Sequence, residues 1–408
     1  MRLFYGFGIR GFYVVMWLAS WFHAKAKKWI VGRQIPLESF RVPKDKKVVW
    51  FHCASLGEFD QGLPVMNAYK EAFPDSFLMV TFFSPSGMEF YNKRDHQVDL
   101  ALYLPLDTKI KAQKFVEYFN PQMVFFVKYE FWYNHLKCAR RNGAKIYGVS
   151  SLFRPSHRFF KWYGGFFRKA LRLFDHFYTQ DQRSKDLLNS IGIDQVTVTG
   201  DTRYDRMLAV KAKSQENEII RNFVEAKPVL ILGSSWTMDE EILVPALSEL
   251  REKFKIIIAP HDISIKHIEQ ISAEFDHEVE YYTAFENLGR DILILDTIGQ
   301  LTNAYQYADL AYIGGGFTGK LHNILEPGAF GIPIFFGPKH ARFPEAQLFL
   351  DHEVAFTIED SYSFEKAVEE ALGKRAQINE RLAEIFARNQ GAAKKIISSL
   401  SLKQQIEI

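Results

Sequence analysis

The sequence predicts an α/β chain of two doubly wound, Rossmann-like domains behind a short apolar and basic N-terminal segment. Three observations carry this. The length, 408 residues, suits two domains better than one. From residue 47 onward, short β-rich runs alternate with helical patterns, which is the rhythm of βαβ units and a parallel sheet. That rhythm stops at a polar stretch near 205–227 and then restarts. The expected divisions are 1–46 for the N-terminal segment, 47–205 for the first domain and 206–408 for the second, with C-terminal helices.

Residues 4–22 read FYGFGIRGFYVVMWLASWF and are followed by HAKAKKW. Gly6, Gly8 and Arg10 interrupt the run and leave 11–22 as its apolar heart. Its cations lie mainly after the apolar run, whereas a cleaved signal peptide carries them before it. A membrane anchor, inserted or lying in the interface with Lys25, Lys27 and Lys28 on lipid phosphates, is the favoured reading. A buried first helix and a signal peptide are the alternatives. Lysines after the run stay in the cytoplasm under the positive-inside rule, so the rest of the chain is expected on that side.

In the first domain the expected strands are Val48–Cys53, Phe77–Phe82, Met123–Val127, 145–149 and His176–Thr179, with helices near 62–72, 131–142 and 182–191. A short 197–199 strand follows. In the second they are 229–232, 255–259, 292–295, Leu310–Ile313 and 332–335, with helices near 240–253 and 264–275. The end, 363–400, reads as two helices around Gly373. Doubly wound domains that face a central cleft bind ligands at the carboxyl ends of their strands.

Composition narrows the function. Residues 1–50 hold ten Lys/Arg against Glu38 and Asp45, a net +8, which leaves −5 on the remainder for a total of +3. Basic charge so localised argues against a nucleic-acid binder and for a surface contact near the N-terminus. Cys53 and Cys138 are the only cysteines, in no metal-like spacing, which points to a reduced compartment. Aromatic residues reach 15%, with 37 Phe, a stock that suits deep cores and surfaces meeting lipid or sugar alike.

Several constellations carry chemistry. Ser55-Leu56-Gly57-Glu58 follows the 48–53 strand, so Glu58 projects at the carboxyl edge of the first sheet. There it is either a general base or a first-turn glutamate favoured by the helix dipole. Glu130 stands at a second strand end, ahead of Phe131-Trp132, and either joins Glu58 or pairs with Lys128. Arg203, in Gly200-Asp201-Thr202-Arg203-Tyr204-Asp205, is placed for a phosphate or carboxylate, or is simply a surface arginine. Residues 314–326 read GGGFTGKLHNILE. Three glycines after a strand let the backbone approach a ligand and leave amides for a phosphate, while Asn323 caps the next helix and Glu326 lies in its first turn to accept ribose hydroxyls. Between 153 and 173 six cations interleave with aromatics and no acid, which suits a phosphorylated lipid or an amphipathic helix packed on its own domain. No metal-binding signature occurs.

These segments resemble the 3-deoxy-D-manno-octulosonic acid (Kdo) transferases. The resemblance rests on 55–58 (SLGE), 81–87 (TFFSPSG), Glu130-Phe131-Trp132, 200–205, 296–301 (DTIGQL), 322–327 (HNILEP) and Phe336-Gly337-Pro338, in order and spacing, from the apolar start to about residue 350. It implies a GT-B fold and inverting transfer of Kdo from CMP-Kdo to the lipid A precursor (lipid IVA) of lipopolysaccharide. It also implies no metal or other cofactor, and action at the cytoplasmic side of a bacterial inner membrane with its anionic surface. By position Glu58 corresponds to the catalytic base, and Glu130 and Arg203 to groups stabilising the transition state. The cytidine nucleotide site maps to Pro260 and His261, to Ile298, Gly299 and Gln300, and to Asn323, Ile324, Leu325 and Glu326. Arg203 stands where the family usually has Lys, Pro260-His261-Asp262 where it has P-R-H, Ile298-Gly299-Gln300 where it has M-G-E, and Lys128 where it has an acid. A GT-B transferase using a different nucleotide sugar is the alternative.

Overall fold

The computed structural model describes residues 2–224 and 227–406. Residues 225–226 of the expected interdomain stretch and 407–408 at the expected end of the second domain lie outside them. Two compact units divide the described residues at Arg206/Met207 and at Arg388/Asn389.

The first unit is built on seven parallel strands: β1 (Val48–Cys53), β2 (Phe77–Phe82), β3 (Leu100–Tyr103), β4 (Met123–Val127), β5 (Lys145–Ser151), β6 (His176–Thr179) and β7 (Val196–Val198), in the order β3-β2-β1-β4-β5-β6-β7. Every residue of β1, β2 and β4 is buried. Such unbroken apolar runs are what a parallel sheet covered on both faces requires. The order reverses between β1 and β4, whose register sets His52 opposite Phe126. The loops leaving Cys53 and Val127 therefore start side by side at a topological switch point.

The second unit carries β8 (Val229–Ser235), β9 (Lys255–Pro260), β10 (Glu280–Tyr281), β11 (Ile292–Ile294), β12 (Leu310–Ile313), β13 (Ile334–Phe336) and β14 (Ala355–Thr357), again parallel, in the order β10-β11-β9-β8-β12-β13-β14. Here the reversal falls between β8 and β12, with Ile313 opposite Gly233.

Two expectations for the C-terminal region are corrected. It forms three helices, Ser361–Gly373, Arg375–Asn389 and Ala392–Ile406. The last belongs to the first unit, not the second: Ile396 and Leu400 are buried in the core that covers β1, β2 and β4. Tyr178 of β6 donates to Ser399 at 3.0 Å. Asp205, at the end of the 200–205 motif, accepts from the backbone N–H of Gly391 at 2.5 Å and of Ala393 at 2.8 Å. Its carboxylate holds the start of that final helix.

The N-terminal segment folds as Arg2–Ala19 followed by Ala24–Val31. One flank of the first helix is docked, with Ile9 joining Trp29, Ile30 and Leu106 in a small core and Tyr5 donating to Asp107 at 2.5 Å. Another flank exposes Phe4, Phe7, Val14, Val15 and Leu18, and Trp21 and Phe22 follow it, also exposed. No helix among the described residues is long and apolar enough to cross a membrane. Two of the basic residues have internal partners. Lys28 pairs with Glu89 at 2.7 Å, and Arg33 donates to the carbonyls of Trp29, Phe83 and Leu104 at 2.7–3.0 Å.

Candidate active site

Glu58 is the third residue of the helix Leu56–Ala72, which two residues separate from the end of β1. Its Oε2 accepts the backbone N–H of Ala54, so the carboxylate folds back over the start of its own helix. The side chain is almost fully buried. Burial, and after it the charge of Glu130, raise its pKa from 4.5 to about 7, against the opposing pull of the Ala54 and Ser55 N–H groups and of Lys128. Glu130 follows β4, and burial raises its pKa too. Its Oε2 is buried with no hydrogen-bond partner among the described residues. The structure thus brings the two predicted carboxylates into one electrostatic neighbourhood at the β1/β4 switch point.

The segment after Glu130 is fixed by a buried network. Trp132 donates its indole N–H to His52 Nε2 at 3.1 Å. Asp107 accepts from the backbone N–H of Asn134 and of His135 and meets the His135 ring at 2.6 Å. Asp107 also receives Tyr5, so the N-terminal helix is tied to the start of the helix Tyr133–Arg141, which follows the loop that carries Glu130. Sequence reading missed Asp107 and His135; a lone Asp after a short strand gave no signal.

Arg203 lies in the first turn of the helix Thr202–Ala212. The Thr202 hydroxyl donates to the Gln61 carbonyl at 2.6 Å, which sets this turn beside the helix bearing Glu58. The guanidinium is held by Asp201, with Nε at 2.8 Å and Nη2 at 2.7 Å.

In the second unit, the glycine run serves packing more directly than expected. A Cβ on Gly316 would fall 2.3 Å from the Gly337 nitrogen, and one on Gly337 would fall 2.6 Å from the Gly316 carbonyl carbon. The two loops cross in backbone contact, which only glycine allows. The Gly314 N–H is taken by the Gly233 carbonyl and the Gly315 N–H by Asp239. The expectation that these amides remain for a phosphate is corrected for both residues. Asp239, fully buried, also accepts from the Trp236 N–H and the Tyr312 hydroxyl, tying the end of β8 to the loop after β12.

Asn323 accepts the Leu325 N–H at 3.2 Å as its helix begins, and Ile324 and Leu325 are buried beneath. Glu326 accepts from the Thr302 hydroxyl, which joins the 296–301 and 322–327 motifs. Ile298 is exposed, Gly299 adopts a left-handed φ of +99°, and Gln300 accepts from Asn217 at 3.0 Å. Pro260 ends β9, and His261 stacks on Trp236 with ring centroids 4.1 Å apart. Trp236 was not foreseen; a single aromatic after a strand resembles any core tryptophan. Among the described residues no group of three or more His, Cys, Asp or Glu is arranged to hold a metal.

Residues 32–206 match the family described as 3-deoxy-D-manno-octulosonic-acid transferase (kdotransferase). The chain is 29% identical over 335 residues, 78% of its own length and 75% of the relative's, to a 3-deoxy-D-manno-octulosonic acid transferase of Chlamydophila psittaci. It is 25% identical over 367 residues to the protein of that name from Aquifex aeolicus, covering 87% and 95%. Over most of its length the chain is thus similar to Kdo transferases. That likeness supports a glycosyltransferase. Among solved structures it is similar to the UDP-GlcNAc 2-epimerase of Neisseria meningitidis bound to UDP-GlcNAc, with a TM-score of 0.65, 14% identity and coverage of 88% and 100%. At that identity the likeness speaks for fold alone, and it agrees with two seven-stranded parallel units of the GT-B type.

Proposed function

We propose that the chain is a Kdo transferase that moves Kdo from CMP-Kdo to a lipid A precursor (lipid IVA), with inversion at the anomeric carbon. The observation that carries the chemistry is Glu58, a buried carboxyl whose pKa is raised to about 7, beside a second carboxyl, Glu130. A base that accepts a proton from an acceptor hydroxyl works best with a pKa near the working pH. Attack of that oxygen on the anomeric carbon breaks the bond to the nucleotide phosphate, the proton passes to Glu58, and CMP leaves. Glu130 and Arg203 are assigned to stabilising the transition state. The donor is assigned to the second unit, with Pro260, His261, Ile298, Gly299, Gln300 and residues 323–326 around the nucleotide. No metal or other cofactor is required in this scheme, so chelation with EDTA should leave the rate unchanged.

We assign the acceptor's setting to the cytoplasmic side of a bacterial inner membrane, an anionic surface. The exposed Phe4, Phe7, Val14, Val15, Leu18, Trp21 and Phe22 and the exposed Trp162 and Tyr163 suit an interfacial contact. Flotation with anionic vesicles tests this, since removing residues 1–24 should release the protein. Incubation with CMP-Kdo and a tetraacylated lipid A precursor, with products read by mass, tests the reaction. A product heavier by one or more Kdo units is expected. Turnover of a UDP-sugar instead would move the chain to a different donor.

A further inference from the structure

The carboxyl ends of β9, β8 and β12, three neighbouring strands, gather four side chains whose joint arrangement the roles above leave unexplained. Trp236 follows β8, His261 follows β9, and Lys320 and His322 lie in the loop after β12. The Trp236 and His261 rings are stacked, with an interplanar angle of 22°. The His322 ring lies 4.8 Å from that of His261, and the Trp236 indole N–H donates to His322 Nε2 at 3.0 Å. Lys320 Nζ stands 5.3 Å from the Trp236 ring centroid, and it forms no ion pair among the described residues.

These contacts fix the chemistry that is left over. With Nε2 accepting, a neutral His322 carries its proton on Nδ1 and presents an N–H donor. Burial, together with the neighbouring His261, pulls its pKa down to about 4, so it is neutral at physiological pH. Lys320 adds a compact positive charge with three donors. A patch with a cation and an N–H donor suits an anion better than a nucleobase, whose edge mixes donors with acceptors. The neighbouring acids are turned elsewhere: Asp262 accepts from the N–H and hydroxyl of Ser264, Glu240 from Ser235 and His267, and Asp239 from the Trp236 and Gly315 N–H groups and the Tyr312 hydroxyl. The Gly314 and Gly315 amides are already taken, which leaves side chains a larger share in any phosphate recognition at this edge.

We propose that Lys320 and the Nδ1–H of His322 hold the phosphate of the nucleotide donor, on a platform made by the Trp236–His261 stack. The assignment rests on the donor-nucleotide reading above and adds to it a specific anion grip. Lys320 is exposed, so Lys320→Gln should leave the fold intact. Calorimetric titration of wild type, Lys320→Gln and Lys320→Arg with CMP and with cytidine tests it. Lys320→Gln should bind CMP about 10- to 100-fold more weakly, as expected for a lost charge-assisted hydrogen bond. Its affinity for cytidine should stay within about twofold, and Lys320→Arg should recover most of the loss. Unchanged CMP affinity in Lys320→Gln, or an equal loss for CMP and cytidine, would overturn the grip. A wild type that binds UMP as well as CMP, with both weakened in Lys320→Gln, would uphold the grip and overturn the cytidine donor. A wild type that binds neither nucleotide would overturn both.

Discussion

The two sheets share an architecture, seven parallel strands with a switch point beside the first strand of each, yet their carboxyl edges carry opposite chemistry. At the β1/β4 edge two buried carboxyls, Glu58 and Glu130, raise one pKa above its ordinary range by burial and mutual repulsion. At the β8/β12 edge the chemistry is an exposed cation, two imidazoles and a half-buried indole, and the buried acid Asp239 is spent on loop architecture. A shared architecture therefore assigns no roles by itself; the residue types at each switch point do. The first edge is built to take a proton and the second to hold an anion.

The largest effect that can break this contrast is loss of the base. Glu58→Gln should keep nucleotide binding and lose about 10²- to 10⁴-fold in transfer rate. Near-normal turnover would remove Glu58 from the chemistry. At the other edge, Glu326→Ala should weaken CMP binding about 10-fold or more, a loss that added acceptor lipid does not restore. Calorimetry showing wild-type CMP affinity would detach Glu326 from the nucleotide.

The legible parts of the sequence were those where local pattern and tertiary demand coincide. β1, β2 and β4 read as strands because a doubly covered parallel strand is apolar throughout. Leu100–Tyr103, Glu280–Tyr281 and Ala355–Thr357 went unread, since two to four residues carry no period. The address of the helix Ala392–Ile406 was also illegible: amphipathicity reveals a buried face but not which core it enters, and here Asp205 and Tyr178 decide it. In the site, Glu58 and Glu130 were legible as acids at strand ends. The glycine run misled for a physical reason, because close approach to another backbone and close approach to a ligand demand the same residue. Trp236 and Lys320 lie far apart in the sequence and meet only through strand order.

A smaller effect sharpens the picture of the first edge. The folded Glu58 carboxyl keeps its proton up to about pH 7 instead of 4.5. Its contribution to stability is therefore full below pH 4.5 and is lost as the pH rises through 7. Gln cannot ionise, so the stability of Glu58→Gln relative to wild type should be higher at pH 8 than at pH 5, by about 3 kcal/mol at most. Denaturant melts at the two pH values measure this, and an equal difference at both would mean that the carboxyl is not strained. Smaller again, Tyr5→Phe removes one donor from Asp107 and should cost about 1–2 kcal/mol in the same melts. No change would show that the N-terminal helix is not anchored through that contact.

The most direct measurement is the pH dependence of single-turnover transfer from CMP-Kdo, run from pH 5 to 9 on wild type and Glu58→Gln. The wild-type rate should rise through a midpoint near 7, where Glu58 loses its proton, while the variant stays low and lacks that limb. A wild-type midpoint at the ordinary carboxylate range of about 4–5, or the same limb surviving in the variant, would contradict Glu58 as the base.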